Sequence, residues 1–241
     1  MIKIALFPII LLVVFAGSGN SQAFAQQNRS PVHVALEFSM IFPSQLLLSF
    51  EDTAQDSTGT YSYLTTTSPS FRFGGYLRFE LFGNHSLETG LYRITRKYKS
   101  SVSVLETGQE LGSNSIRGVA FELPLVWTIS VPLSPDSKLS TGFGGVMSYF
   151  ASDFGVFDLQ YNLDAVIRSR FLGGIKANLG FEYDMGAEGG VYFGATFQHH
   201  FQPKAFLRME YFEQSDAVSI AAMELNGSYL AAVVRYIFPA Q

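Results

Sequence analysis

The stretch VAFELPLVWTISV, residues 119–131, decides the fold of this chain. All its odd-numbered positions are apolar, whereas the even-numbered ones include Glu122, Thr128 and Ser130. A period of two predicts a β-strand with one apolar face, because successive side chains of a strand point to opposite sides. Thirteen residues are also enough to cross a bilayer, for which a tilted strand needs about 9–11.

The same alternation recurs before and after this stretch and gives eight segments between Val32 and Phe238. Apolar residues are abundant, with aromatics at 15% of the chain, yet they are dispersed along these segments. In a bilayer only helices and closed barrels satisfy the backbone, and the period of two favours the barrel. We therefore predict an all-β fold, an eight-stranded antiparallel up-and-down transmembrane β-barrel. Proposed outward positions in the other strands include Val34, Leu36, Phe38, Phe73, Leu77, Leu179, Phe181, Phe193, Val234 and Tyr236.

Short turns and long polar connections alternate between the segments. The short turns are predicted at residues 83–85, 134–137 and 184–189, and the long connections at about 43–68, 100–115, 151–170 and 202–226. In outer-membrane barrels short turns face the periplasm and long loops face outside. The pattern therefore predicts extracellular long loops and periplasmic termini.

The positions opposite the apolar face combine charges with glycines. An eight-stranded barrel has an interior only just wide enough for side chains, so inward glycines make room for inward charges. We predict a lumen filled by a charge network and closed to solutes. Its proposed members are Glu37, Arg72, Arg78, Glu80, Glu88, Glu122, Lys176, Glu182 and Arg235, together with glycines 74, 90, 142, 144, 174, 180 and 194.

Counting from the turn at 83–85 predicts that Glu80 pairs with Glu88 across the second hairpin. Two carboxylates placed opposite each other are unfavourable alone. We therefore expect Arg78 and Arg235 to lie between them, since buried charges persist when they are paired. Arg93 interrupts the apolar face of the third strand, and a β-bulge there would turn it away from lipid.

Aromatic residues cluster where the proposed strands would meet the two membrane interfaces, which amphipathic rings prefer. Their alternative role is that of ordinary strand formers. The proposed girdle comprises Phe71, Tyr98, Tyr149, Phe171 and Phe201 on the outer side, and Phe79, Tyr183, Tyr236 and Phe238 on the inner side.

The first 25 residues have the pattern of a cleaved signal peptide. Lys3 precedes an apolar run, Ile4 to Ala16, and Ala23-Phe24-Ala25 forms a small-x-small cleavage site. Residues 26–241 are then expected to form one barrel domain. The chain has no cysteine, which excludes disulfides and thiol chemistry, and its net charge of −4 gives no footprint for nucleic acid.

Three segments resemble the PorT-like outer-membrane β-barrel domain family of Gram-negative bacteria. Residues 86–92, SLETGLY, are similar to the third strand of that family. Residues 121–125, FELPL, are similar to its fourth strand. Residues 228–238 look like the terminal strand that the barrel-assembly machinery recognises. The resemblance covers most of the mature chain and implies an eight-stranded barrel in the outer membrane.

Two adjacent histidines, His199 and His200, end the seventh segment near a connection that contains Glu210, Glu213 and Asp216. A surface hydrolase could use such groups, but nucleophile, base and orienting residue cannot be placed together. Neighbouring strand residues point to opposite faces, so both histidines could not bind one metal ion. We expect rim histidines, with no catalytic residue, cofactor or metal.

We thus predict a non-enzymatic outer-membrane protein with a structural, envelope-stabilising or partner-binding role. Its expected contacts are outer-membrane lipids, the barrel-assembly machinery and a protein partner at loops 43–68 and 202–226. The second of these loops carries an adhesive-looking set, Phe206, Leu207, Met209, Tyr211 and Phe212. A strand extending above the membrane would explain that set equally well. The alternatives are a small-solute pore, a surface lipid or peptide hydrolase, and a soluble lipocalin-like carrier with apolar residues inside.

Overall fold

The computed structural model describes residues 32–42, 52–213, 216–225 and 227–239. The predicted signal peptide and part of the first long connection lie outside this range. The strands are β1 (Val32–Phe42), β2 (Asp52–Gln55), β3 (Tyr61–Glu80), β4 (His85–Val104), β5 (Glu110–Ser134), β6 (Ser137–Phe150), β7 (Phe154–Val156), β8 (Tyr161–Ile167), β9 (Phe171–Asp184), β10 (Gly190–His200), β11 (Ala205–Glu213), β12 (Asp216–Leu225) and β13 (Tyr229–Ile237). A short 3-10 helix spans Gly186–Glu188. No helix among the described residues is long and apolar enough to cross a membrane.

Eight of the strands form a closed antiparallel ring in the order β1-β13-β10-β9-β6-β5-β4-β3. The ring closes because β1 pairs on one side with β13 and on the other with β3. Phe38, for example, faces Val234 on β13 and Phe73 on β3. The predicted eight-stranded barrel is therefore confirmed, and closure leaves its ring without an unpaired edge.

The ring strands alternate between exposed apolar and buried polar residues. Leu36, Phe38 and Met40 on β1 are exposed, whereas Glu37 and Ser39 between them are buried. Exposed large apolar side chains occur on all eight ring strands. This arrangement reverses that of a soluble barrel and excludes the lipocalin-like alternative, which needs its apolar face inside.

Two tyrosines occupy space that inward glycines leave free. A side chain at Gly74 or Gly90 would overlap Tyr92, and one at Gly180 or Gly194 would overlap Tyr192. Gly180 and Gly194 face each other across β9 and β10. The absence of a side chain at these positions is what allows the ring of Tyr192 to lie across the interior.

The predicted register of the second hairpin is wrong by two residues. Glu80 faces Ser86, and Glu88 faces Arg78. The turn lies one residue earlier than predicted, because backbone hydrogen bonds join Leu81 to His85 and His85 to Phe82. An opposite-charge pair thus replaces the expected pair of carboxylates.

At the end away from the short turns, the long connections fold into further β-structure. Strands β7, β8, β11 and β12 form a second antiparallel sheet in the order β12-β11-β8-β7. We use the term cap for this second sheet together with β2 and the extensions of three ring strands. These extensions are residues 61–70 of β3, 97–104 of β4 and 110–117 of β5. Most of the predicted long loops, in the part that the structure describes, is therefore regular strand.

The cap has an apolar core of its own. Leu163, Leu207 and Met209 of the second sheet are fully buried and pack against residues of the β3, β4 and β5 extensions. Phe206, between the buried positions of β11, remains exposed. The extended strand, rather than an adhesive loop, is thus the correct interpretation of β11. The buried members of this cap core are Tyr63, Tyr98, Val102, Ile116, Tyr161, Leu163, Ala165, Ala205, Leu207, Met209, Ala221 and Leu225.

A bulge on β3 separates the barrel from the cap. Ser68 faces Lys97 and Phe71 faces Thr95, so β3 contains one extra residue at Pro69-Ser70. No such shift occurs on β4 at Arg93, whose neighbours keep a constant register with β5. Arg93 is exposed on the outward face. The prediction that a bulge would turn its side chain away from lipid is therefore wrong. The bulge lies on the neighbouring strand because proline lacks the N–H that ladder pairing needs.

Candidate functional site

The buried centre of the barrel is a carboxylate held between two guanidinium groups. Glu37 on β1 forms ion pairs with Arg72 on β3 and with Arg235 on β13. Nε of Arg235 lies 2.5 Å from one oxygen of Glu37. Ser39 and Tyr92 donate further hydrogen bonds to the same carboxylate, both at 3.2 Å. The closed sheet brings these residues together, because β1 lies directly between β3 and β13.

A second carboxylate extends this cluster toward the cap. Arg72 lies 3.5 Å from Glu122 of β5 and donates a 3.0 Å hydrogen bond to the hydroxyl oxygen of Tyr229. Gln198 donates its amide hydrogen to the other oxygen of Glu122 at 2.8 Å. Glu122 therefore has both oxygens occupied, which a buried carboxylate requires.

A third group of charges lies toward the short turns. Arg78 pairs with Glu88 at 3.1 Å and with Glu182 at 2.8 Å. Lys138, which is partly exposed, also contacts Glu182 at 2.8 Å. Arg235 reaches Glu88 at 3.5 Å and so connects this group to the central one.

Aromatic rings provide the remaining contacts of the buried cations. Arg235 lies 4.3 Å from the ring centroid of Tyr76 and 4.5 Å from that of Tyr192. The ammonium of Lys176 lies 5.0 Å from the Tyr92 ring. Such cation–π contacts stabilise a charge where water is excluded. We use the term lumen network for the four buried carboxylates and four buried cations of the barrel: Glu37, Glu88, Glu122, Glu182, Arg72, Arg78, Lys176 and Arg235.

The structure brings together eight of the nine charges that the sequence placed in the lumen. Glu80 is the exception, because it lies half-exposed at the short-turn rim, 3.8 Å from His33. The hairpin register explains its position, since Glu80 is the last residue of β3. The charges of the lumen network balance, and they fill the barrel together with tyrosines and two small apolar clusters, of which the larger contains Ile41, Ile94, Ala120, Phe150, Leu172, Tyr229 and Ala231.

Three further cationic or titratable groups lie where the barrel meets the cap. Arg96 and Lys204 are buried, and together with His200 and Glu122 they line a cavity of about 10 Å³, room for a single water molecule. Lys204 contacts the hydroxyl of Tyr98 and the face of its ring. Burial alone disfavours ionisation of Tyr98, but the charges of Lys204 and Arg96 and their hydrogen bonds together outweigh it and lower the Tyr98 pKa.

Sequence reasoning missed this group for different reasons. Arg96 shares the inward parity of Glu88 and Tyr92, so the strand period could have identified it. Lys204 precedes β11 in a predicted loop, and no periodicity indicated where it would lie. Tyr229 and Gln198, which complete the hydrogen bonds of Glu122, carry no charge and gave no distinctive signal.

The adjacent histidines do not form a common site. His200 faces the interior, where its Nε2 lies 2.8 Å from the hydroxyl of Ser148. Nδ1 of His199 lies 2.9 Å from Ser228. No carboxylate is recorded within ion-pairing distance of either ring in the described part of the chain. Among those residues there is also no cluster of three or more His, Asp or Glu side chains suited to a metal ion.

The proposed aromatic girdle contains one residue that the structure places elsewhere. Tyr98 is buried in the cap core, because β4 keeps its even-numbered residues inward along its whole length. Tyr149 is half-exposed and packs against Phe171 with the two rings tilted, at 5.0 Å between ring centroids. The other proposed residues are exposed on the outside: Phe71, Phe79, Phe171, Tyr183, Phe201, Tyr236 and Phe238.

Comparison with known proteins places this geometry among outer-membrane barrels. The outer membrane protein OprG from Pseudomonas aeruginosa is similar, with a TM-score of 0.53 at 12% identity, over 88% of this chain and 98% of that one. The transport unit of the autotransporter AIDA-I from Escherichia coli matches more distantly, with a TM-score of 0.32 at 9% identity, over 96% and 97% of the two chains. No protein-family model and no curated protein matches the sequence. The likeness to OprG, together with the closed ring, shows that the chain has the eight-stranded outer-membrane β-barrel fold.

Proposed function

We propose that this protein is a non-enzymatic, non-conducting integral outer-membrane barrel that anchors a folded β cap outside the cell. The observation that carries the proposal is the filled lumen: a balanced set of eight buried charges, seven of them in ion pairs, occupies the barrel beneath an independently packed cap. A pore needs a continuous aqueous path, and paired charges that are 0–7% exposed leave no room for one.

The outward face of the ring supports insertion into a membrane. Leu36, Phe73, Leu125 and Phe143 are each more than half exposed, and similar residues surround the ring. A continuous apolar band of this kind is too large for a soluble monomer and fits a lipid environment. Both described termini lie at the short-turn end, which favours a periplasmic location for that end and an extracellular one for the cap.

Orientation can be tested with single cysteines, because the chain has none of its own. Ser57→Cys lies in the exposed turn between β2 and β3, and Asp136→Cys lies in the short turn between β5 and β6. We expect a membrane-impermeant maleimide to label Ser57→Cys in intact cells and Asp136→Cys only after the outer membrane is opened. The reverse labelling pattern would reject the orientation.

Conductance in planar bilayers tests the filled lumen. We expect the purified, folded protein to give no unitary current steps, since all four buried carboxylates and three of the four buried cations are ion-paired and opening the lumen would separate them. Steps that scale with salt concentration and depend on folded protein would overturn the proposal in favour of a small-solute pore.

The surface most suited to a protein partner is the cap. Phe157 and Leu159 follow β7 and are 72% and 90% exposed, unusual values for large apolar side chains. We propose a partner contact at the cap, within the connections predicted at 43–68 and 202–226 and at this neighbouring turn. Photo-crosslinking in cells from Leu159, with Phe79 at the short-turn end as control, should capture a partner only from the cap. We also propose that the chain is a member of the PorT-like family.

A further inference from the structure

A group of four cations lies on the outward face where the barrel meets the cap. Arg93, Lys97 and Lys99 on β4 and Arg117 on β5 are all exposed. Lys97 and Arg117 face each other directly across the two strands. We call these four residues the basic patch. Alternate residues of a strand share a face, so the four positive groups line one narrow strip of surface.

The basic patch is not neutralised by acidic side chains. None of its members forms an ion pair within the described residues, and the first acids along β4 and β5 on the cap side are Glu106 and Glu110, at the far turn. Like charges placed opposite each other destabilise a sheet. Elsewhere on the cap, the exposed Arg208 does have a partner in Glu210. The uncompensated pair at Lys97 and Arg117 therefore suggests a ligand that supplies negative charge.

The position of the patch limits what that ligand can be. Arg93 faces Phe73 on β3 and Phe121 on β5, so it lies within the aromatic margin of the apolar band. Lys97 and Lys99 follow at the next outward positions beyond Thr95. Long cationic side chains at such a boundary extend their charged ends toward the polar headgroups. The negative groups must therefore lie at headgroup depth, beside acyl chains that cover Phe73.

We propose that the basic patch binds the phosphate groups of a phosphorylated, multiply acylated glycolipid in the outer leaflet. Phosphates offer several acceptor oxygens, which arginine binds in a bidentate manner and lysine binds as a point charge. Clusters of basic residues next to a membrane recognise anionic headgroups by the same physical effect. The assignment of the leaflet rests on the proposed orientation of the cap.

Binding is tested with the folded full-length protein by native mass spectrometry and by titration with bisphosphorylated lipid A in neutral-detergent micelles. We expect Lys97→Gln/Arg117→Gln to weaken binding about thirty-fold, because each cation near anionic lipid contributes a factor of about five. The matched control is Arg168→Gln/Arg208→Gln, which removes the same charge from ion-paired positions. It should change the affinity less than about twofold, since exposed ion pairs contribute little.

Thermal stability provides a second measurement. The difference in melting temperature between the double patch variant and the wild type should change sign when lipid A is added. In neutral detergent the double patch variant should melt at the same temperature as the wild type or higher, since two facing like charges are removed. With lipid A present it should melt lower than the wild type, because the ligand stabilises only the protein that binds it. A variant that simply folds poorly would melt lower in both conditions, and that result would overturn the proposal.

Lipid composition separates the possible sources of negative charge. Dephosphorylated lipid A should bind no better to the wild type than to the double variant. Equal binding of phosphatidylglycerol and lipid A would overturn the assignment to glycolipid, and unchanged lipid A binding by the double variant would overturn the patch. Failure of the proposed orientation can be distinguished from failure of the lipid proposal, because cysteine labelling reports orientation in cells whereas these measurements use purified protein.

Discussion

The barrel interior and the cap core are built by the same strands but packed by opposite principles. Strands β3, β4 and β5 run through both regions. In the barrel their buried residues include Arg72, Arg78, Glu88 and Glu122, whereas in the cap they include Tyr63, Val102 and Ile116. The change coincides with the bulge at Pro69-Ser70, which moves the inward side of β3 from even-numbered to odd-numbered residues.

The difference follows from the surroundings of each region. Where lipid covers the outside, apolar residues gain little by facing inward, and charges with tyrosines fill most of a narrow lumen, with a small apolar cluster around Ile94 and Leu172. Where water surrounds the cap, burial of apolar area again drives packing. On β3 the bulge permits the change, because a strand that kept its parity would point Tyr63 toward water. Strands β4 and β5 keep their inward parity and change only in residue type.

The largest expected effect comes from removing the central charge of the lumen. Glu37→Gln leaves Arg72 and Arg235 without their shared carboxylate and should lower the free energy of unfolding by about 3–5 kcal/mol. Urea unfolding of the folded barrel in detergent measures it. Glu80→Gln, at the half-exposed rim, is the matched control and should cost less than about 1 kcal/mol. Equal effects at the two sites would mean that lumen charges do not support the barrel.

The cap should respond to loss of apolar volume without affecting the barrel. Leu207→Ala removes a fully buried side chain and should destabilise the cap by about 2–5 kcal/mol. We expect proteolysis of the cap to become faster while the heat-dependent gel mobility of the barrel is unchanged. Phe206→Ala, at the exposed neighbouring position, is the control. Loss of barrel mobility in Leu207→Ala would show that the two regions fold as one unit.

This division also explains which features the sequence could predict. Strand number, closure and eight lumen charges follow from a period of two that continues through each membrane-spanning strand. The cap was predicted as loops, because the one-residue bulge at Pro69-Ser70 reverses the parity and its other strands come from separate connections. The predicted register of Glu80 was wrong because it depended on the exact position of one turn, which lies one residue earlier. Tertiary pairing, rather than local pattern, determines these features.

Adding a methyl group inside the barrel tests how closely tyrosines fill the space above glycines. At Gly180 a Cβ would overlap both the ring of Tyr192 and the backbone carbonyl of Phe193. Gly180→Ala should therefore destabilise the barrel by about 1–3 kcal/mol, measured by urea unfolding. Gly75→Ala is the control, since a Cβ there meets no atom within 4 Å. An unchanged midpoint for Gly180→Ala would indicate a looser lumen than the structure contains.

Alkaline pH should weaken the cap through two of its buried tyrosines, Tyr161 and Tyr63, whereas Tyr98, whose pKa is lowered, acts in the opposite direction. Burial raises the pKa of Tyr161 and of Tyr63 above the ordinary value. An unfolded tyrosine ionises near pH 10, so above about pH 10 the unfolded cap binds fewer protons than the folded one. Stability must then fall as pH rises, by up to about 1.4 kcal/mol per pH unit for each tyrosine.

Proteolysis of the cap between about pH 9 and pH 11, on either side of the tyrosine pKa, measures this loss. Tyr161→Phe should reduce the slope, because phenylalanine cannot ionise and Ser100 keeps a hydrogen-bond partner in Thr65. Tyr183→Phe, on the exposed face of β9, should leave the slope as it is in the wild type. If both variants behave alike, alkaline opening of the cap does not depend on its core, and the contrast between an apolar cap and a charged lumen would not extend to their responses to pH.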